Sequence, residues 1–321
     1  MPRKTISPPQ AIGASIMAAA LALTAACQSS AEREKRENAE FAGREQQAIA
    51  ILKTRQDVDS LAAAGLLTDP HDANRAMTLL ARATALAPDR ADLVWLEAQV
   101  CAAVAQRGGT CDPAPMEGRL RSLAPANGAA WFGDLSRAAT AADSKAQEVA
   151  LDRIAHSDSV DIYWTRLIAS LTPPVVATGK MSVGEAEISI IGVLSAQAMP
   201  ALLPLSQACR GESLNDPAAV TRCKGIAKAL QRGDTVLIER FGTTLAARIW
   251  PKQSPEWSAA TRRHAVLDYR LQQWGRLTAL HGWSDSWQTQ FLHLCSQYRS
   301  EQAVQEAQLL AAGKNPNPAA E

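Results

Sequence analysis

Apolar positions recur along this chain at three- and four-residue intervals, and no segment sustains the two-residue alternation of a half-buried strand. The interruptions have a recurring form. Asp69-Pro70, Asp112-Pro113, Asp216-Pro217 and Ser254-Pro255 each read as an N-cap followed by proline in the first helical turn. Ser182-Val183-Gly184-Glu185 is a capping-box pattern, and it opens an apolar run through Ile188, Ile191, Leu194 and Met199. Gly282 and Gly313 read as helix stops. The pattern predicts an all-α fold. Val175-Val176 beside Pro173-Pro174 is a strand-like scrap that reads as a linker.

The N-terminus obeys a different rule. Ala11 to Ala26 is apolar and built mostly from small residues, with Arg3 and Lys4 ahead of it. It is shorter than the about 20 apolar residues that cross a bilayer. A basic start, an apolar middle and small residues before a boundary form a secretory signal. The run Leu21-Ala22-Leu23-Thr24-Ala25-Ala26-Cys27 resembles the lipobox of bacterial lipoproteins, with Thr24 where those proteins usually carry Leu. The resemblance implies that residues 1–26 are removed and that Cys27 becomes an acylated anchor. Gln28, in place of an inner-membrane Asp signal, implies the outer membrane of a Gram-negative cell, with the body facing the periplasm. The alternative is ordinary cleavage after Ala20-Leu21-Ala22, which leaves Cys27 a plain thiol. Residues 27–68 then read as a lipidated N-terminus and a charged helical stalk. Glu32-Arg33-Glu34-Lys35-Arg36-Glu37 places opposite charges four residues apart. Phe41, Ile49, Ile51 and Leu52 supply its first apolar positions, so the stalk docks onto the helices after it.

Residues 69–172 contain a weak repeat. Leu86-Ala87-Pro88 precedes Trp95, Leu123-Ala124-Pro125 precedes Trp131, and the two turns lie 37 residues apart. The spacing Ala76-x3-Leu80-x2-Ala83-x4-Pro88 resembles the second helix of a tetratricopeptide repeat, where small residues let paired helices approach and proline ends the helix. The resemblance implies a helical-repeat array, an α-solenoid with a concave binding face, followed by C-terminal helices over 173–312. Phe132, Ser136 and Thr140 would face that groove, and they supply no cluster of Lys, Arg and Asn for gripping a carboxylate. The segment 313–321, with Asn-Pro-Asn-Pro, reads as a disordered tail.

Charge narrows the partners. The whole chain is +1, and removing Arg3 and Lys4 with the signal leaves −1. No basic footprint points to nucleic acid. Five cysteines come after Cys27. In an oxidising compartment Cys101–Cys111 and Cys209–Cys223 are the simplest pairs, although sequence leaves connectivity open. Cys295 is then left over, either as a buried small hydrophobe or as a reactive thiol.

Motifs for chemistry are scarce. The chain has no nucleophile elbow, phosphate loop, dinucleotide fingerprint or His-Glu-x-x-His. His293 and Cys295 are two apart and point to different sides of a helix, so no metal set and no cofactor are expected. His156, with Asp158 and Asp161, reads as a helix end, where an Asp caps the next helix. Glu185 and Glu187 do not share a face. Arg262-Arg263-His264 reads as a solvated face. Trp250, Trp257, Trp274, Trp283 and Trp287 crowd together, either filling gaps between alanine-rich helices or forming an aromatic ligand face at Trp274, Trp283 and Trp287. The leading expectation is an outer-membrane adaptor that binds other envelope proteins or peptides. Its rivals are an envelope enzyme acting on peptidoglycan or glycan, which needs two carboxyls close together in a pocket, and a purely structural lipoprotein.

Overall fold

Fifteen α-helices, with no strand, make up the described residues, and helix accounts for 77%. They are α1 (Ile12–Leu52), α2 (Val58–Leu67), α3 (Ala73–Leu86), α4 (Ala91–Gln106), α5 (Ala114–Leu123), α6 (Phe132–Thr140), α7 (Ser144–Ala155) and α8 (Trp164–Val176). Then come α9 (Val183–Ala196), α10 (Leu202–Ala208), α11 (Pro217–Gln231), α12 (Val236–Ile249), α13 (Pro255–His281), α14 (Asp285–Gln297) and α15 (Glu301–Ala311). The computed structural model describes residues 12–69, 71–196, 201–282 and 284–317, with side chains from residue 32 onward. It divides into two units, 1–47 and 48–321. In the first, residues 32–40 of α1 are exposed and Arg33 pairs with Glu37 one turn on.

Most caps sit where local chemistry puts them. Asp216 Oδ1 accepts the Ala218 N–H at 3.0 Å, and Ser254 Oγ accepts the Trp257 N–H at 3.1 Å. The capping box closes in both directions: Glu185 Oε2 accepts the Ser182 N–H, and Ser182 Oγ accepts the Glu185 N–H. Gly282 and Gly313 take positive φ at helix ends, as expected. Both Leu-Ala-Pro turns also share one geometry. Ala87 (φ −132°, ψ 73°) and Ala124 (φ −137°, ψ 64°) each donate to the carbonyl four residues back, Ala83 and Leu120. Arg119 from α5 donates to the Thr84 and Pro88 carbonyls and so clamps the first turn to α5.

Packing in residues 48–321 is not confined to neighbours in sequence. α2 packs on α3 but also on α8 and α9, α7 on α11, and α14 on α8 and α9. A one-dimensional array would pack each repeat only on the next. Backbones come close where glycine allows it. A Cβ on Gly242 of α12 would lie 2.6 Å from the Gln231 nitrogen of α11. Two disulfides join Cys101 to Cys111 and Cys209 to Cys223, as the pairing of near neighbours predicts.

Several expectations need correction. Residues 58–67 are not stalk: α2 is buried from Ser60 to Leu67, because its run of Leu, Ala and Gly is apolar on every side. α3 starts at Ala73, not at Asp69. The Asp69 carboxylate accepts the His71 N–H at 2.8 Å in a turn that precedes the helix. Pro173 and Pro174 are not a linker but the last turn of α8. Proline's fixed φ suits a helix, and Arg55 donates to the Pro174 and Ala177 carbonyls at 3.2 and 2.8 Å. On α9, Ile188 and Ile191 are only half-buried, while Glu187 and Ile190 are wholly buried. Residues 313–317 are not a loose tail. Arg270, itself buried, donates to the Pro316 carbonyl and to Asn317 Oδ1 at 2.9 and 3.0 Å.

Candidate functional site

α4 and α6 frame a groove of about 480 Å³, and the loop closed by Cys101–Cys111 forms one of its rims. Trp95, Gln99 and Gln106 come from α4, and Phe132, Ser136 and Thr140 from α6. Phe132, Ser136 and Thr140 thus share one groove with α4. Charge on the floor is neutralised: Arg137 grips both carboxylate oxygens of the buried Glu117. Gln99 and Gln106 make no side-chain hydrogen bond among the described residues. Their amides are available to a ligand.

Trp95 and Gln99 also line an adjoining recess of about 240 Å³ with Ile162, Trp164, Leu194 and Leu237. The C-terminal helices thus supply a wall to this surface. Leu237 is 54% exposed, which makes the recess an accessible apolar surface.

Ile162 comes to this recess from the connector between α7 and α8. Asn127 holds it by two bonds, accepting the Asp161 N–H at 2.9 Å and donating to the Asp161 carbonyl at 2.7 Å. Asp234 holds it again. Its two carboxyl oxygens accept the Ile162 and Trp164 N–H groups, each at 2.9 Å. A local Asp is the expected cap for α8; the cap comes instead from Asp234, because Asp161 spends Oδ1 on the Tyr163 N–H. Glu301 continues the arrangement by accepting the Val236 N–H at the start of α12. Burial, and then the Asp161 carboxylate within hydrogen-bonding reach, push the Asp234 carboxyl well above the usual range. The two carboxyls an enzyme would need are therefore close together. Asp234, however, is 5% exposed, and both its oxygens already serve main-chain donors. Asp234 thus serves to build the connector.

The tryptophans are placed differently from a ligand face. Trp287 is buried with Leu277 and Leu309 and stacks on His281 at 4.5 Å. Trp274 is half-buried and donates to Gln308 Oε1 at 2.6 Å. These two pack at the join between α13, α14 and α15, in the manner of the gap-filling alternative. Trp283, residues 1–11 and the side chains of residues 12–31, that of Cys27 among them, lie outside the described residues. Arg262-Arg263-His264 is likewise more than a solvated face. Arg263 pairs with the buried Glu239, and His264 Nδ1 lies 2.9 Å from Thr243 Oγ1, so two of the three tie α13 to α12. Cys295 is buried and free, and burial first, then the Glu187 and Glu301 carboxyls, push its thiol pKa up. It behaves as a small hydrophobe. No group of three or more His, Cys, Asp and Glu that could hold a metal occurs among the described residues.

Asn127, Asp234 and Glu187 carry no mark in the sequence, because their partners lie far along the chain or are missing. Comparison with known proteins finds no matching family model, no matching curated protein and no matching solved structure.

Proposed function

We propose that this protein is a lipid-anchored envelope adaptor that grips an extended, uncharged segment of a partner protein along α4 and α6. The groove lined by Trp95, Gln99, Gln106, Phe132, Ser136 and Thr140 carries this reading. Gln99 and Gln106 are seven residues apart, two helical turns, which is a rise of about 10.5 Å. An extended chain covers that distance in about three residues. Their free amides match the main-chain groups of such a segment, and Trp95, Phe132 and the alanines of the lining take its side chains. With Arg137 spent on Glu117, the lining offers an anionic ligand no free cation to compensate its desolvation. The tetratricopeptide-like turns at Leu86 and Leu123 support the same use of the surface. Anchoring rests on the lipobox-like run ending at Cys27. No described helix is long and apolar enough to cross a membrane.

A photo-crosslinking residue at Ser136, used in cells, tests the proposal. A small, reproducible set of partners is expected. A second substitution, Gln99→Arg, should abolish their capture without lowering the amount of protein. Capture unaffected by that change would overturn the groove as the binding surface. The intact mass of the mature N-terminus tests the anchor, and an unmodified residue at Cys27 would remove it.

A further inference from the structure

The last residues of the α7–α8 connector and the first of α8 divide between two cavities. Ile162 and Trp164 line the recess beside the groove, whereas Asp161 and Tyr163 line a separate cavity of about 390 Å³. Three arginines, Arg90, Arg166 and Arg299, line it with one acidic residue, Asp161.

These charges are not equivalent. Arg90 is occupied by Asp92 at 2.7 Å and Asp59 at 3.3 Å. Asp161 is occupied too, its Oδ1 accepting the Tyr163 N–H at 2.7 Å. Arg166 and Arg299 have no ion-pair partner among the described residues. Arg166 lies instead over the Tyr163 ring, 5.6 Å from its centre. Tyr163 has φ 61° and ψ 28°, a left-handed conformation that a bulky L residue seldom adopts. It is held there by the Asp161 carboxylate at its own N–H, by Asp234 at the next N–H, and by Asn127 Nδ2, which donates to its hydroxyl at 3.2 Å. Such over-determined outliers cluster at ligand clamps. Here the outlier fixes the ring that positions Arg166.

We infer that this cavity is a binding site for an oxyanion, a carboxylate or phosphate group, held between Arg166 and Arg299. The planar guanidinium fork matches both groups in a bidentate manner. A cavity of this size accepts a small molecule or a terminal group. The site is separate from the groove and stands whether or not the groove takes a peptide.

Calorimetric titration of the purified protein at low ionic strength, with pyrophosphate and with succinate in separate runs, tests the site. Saturable binding of at least one probe is expected. Arg166→Gln and Arg299→Gln should each weaken it by about tenfold or more, the loss of a charge-assisted contact. Arg262→Gln, on α13 and outside the cavity, should leave it unchanged. Response to pyrophosphate alone assigns a phosphate ligand, to succinate alone a carboxylate, and to both a general oxyanion site. No saturable binding of either probe, or binding that survives both substitutions, would overturn the inference.

Discussion

Glu187 shows how a single side chain sets a pH dependence. It is wholly buried on α9, and both its carboxyl oxygens lack a partner among the described residues. Burial alone pushes its pKa from 4.5 to about 8. The folded state therefore keeps the proton that the unfolded chain gives up first. Its effect on stability is most favourable below about pH 4.5, declines as pH rises through the window to about 8, and is level beyond it. Within that window the slope approaches about 1.4 kcal/mol per pH unit. Glu187→Gln cannot ionise, so the variant should gain on the parent between about pH 5 and pH 8 in thermal melts followed by circular dichroism. An identical pH profile for the two proteins would refute the assignment. Nothing in the sequence distinguishes Glu187 from a solvated glutamate, because its isolation is a property of α2, α8 and α14 closing around α9.

At the scale of elements the sequence is far more legible. Caps, stops and both disulfides depend on residues a few places apart, and these are readable. Ser254, Asp216, the Ser182–Glu185 box and Gly282 behave as written. The failures have the same logic. Pro173-Pro174 reads as a linker because Arg55, which satisfies the carbonyls that end α8, is distant in sequence. Residues 313–317 read as a tail because the group that holds them, Arg270, sits back on α13. Close helix contact makes its own prediction. In Gly242→Ala the new methyl meets the α11 backbone, which cannot rotate away as a side chain would. The variant should lose about 1–3 kcal/mol in urea unfolding. Opening Cys209–Cys223 by paired alanine substitution should cost about 3 kcal/mol, the loop entropy returned to the unfolded chain.

Across the whole body from residue 48 onward, cohesion comes from bonds between remote segments. Asp234 joins the start of α12 to the start of α8, reaching Ile162 and Trp164 from 72 and 70 residues away. Asp234→Ala leaves the Ile162 and Trp164 N–H groups buried without acceptors, and a loss of about 2–4 kcal/mol is expected in denaturant titration. If that variant matched the parent in stability, the connector would owe its position to packing alone. The recess beside the groove is not legible in the sequence, since Trp164, Leu194 and Leu237 meet only in the folded chain. The disulfide pattern has a consequence for how this body is made. Each bridge links a cysteine to the next one in line, and the odd cysteine, Cys295, comes after both. A chain threaded into an oxidising space from its N-terminus meets its correct partner first at every step after Cys27. Cys295 arrives when both bridges can already be closed. Such an order of emergence favours the native pairs without a reshuffling catalyst, and acylation of Cys27 would withdraw the one thiol able to disturb it from the front.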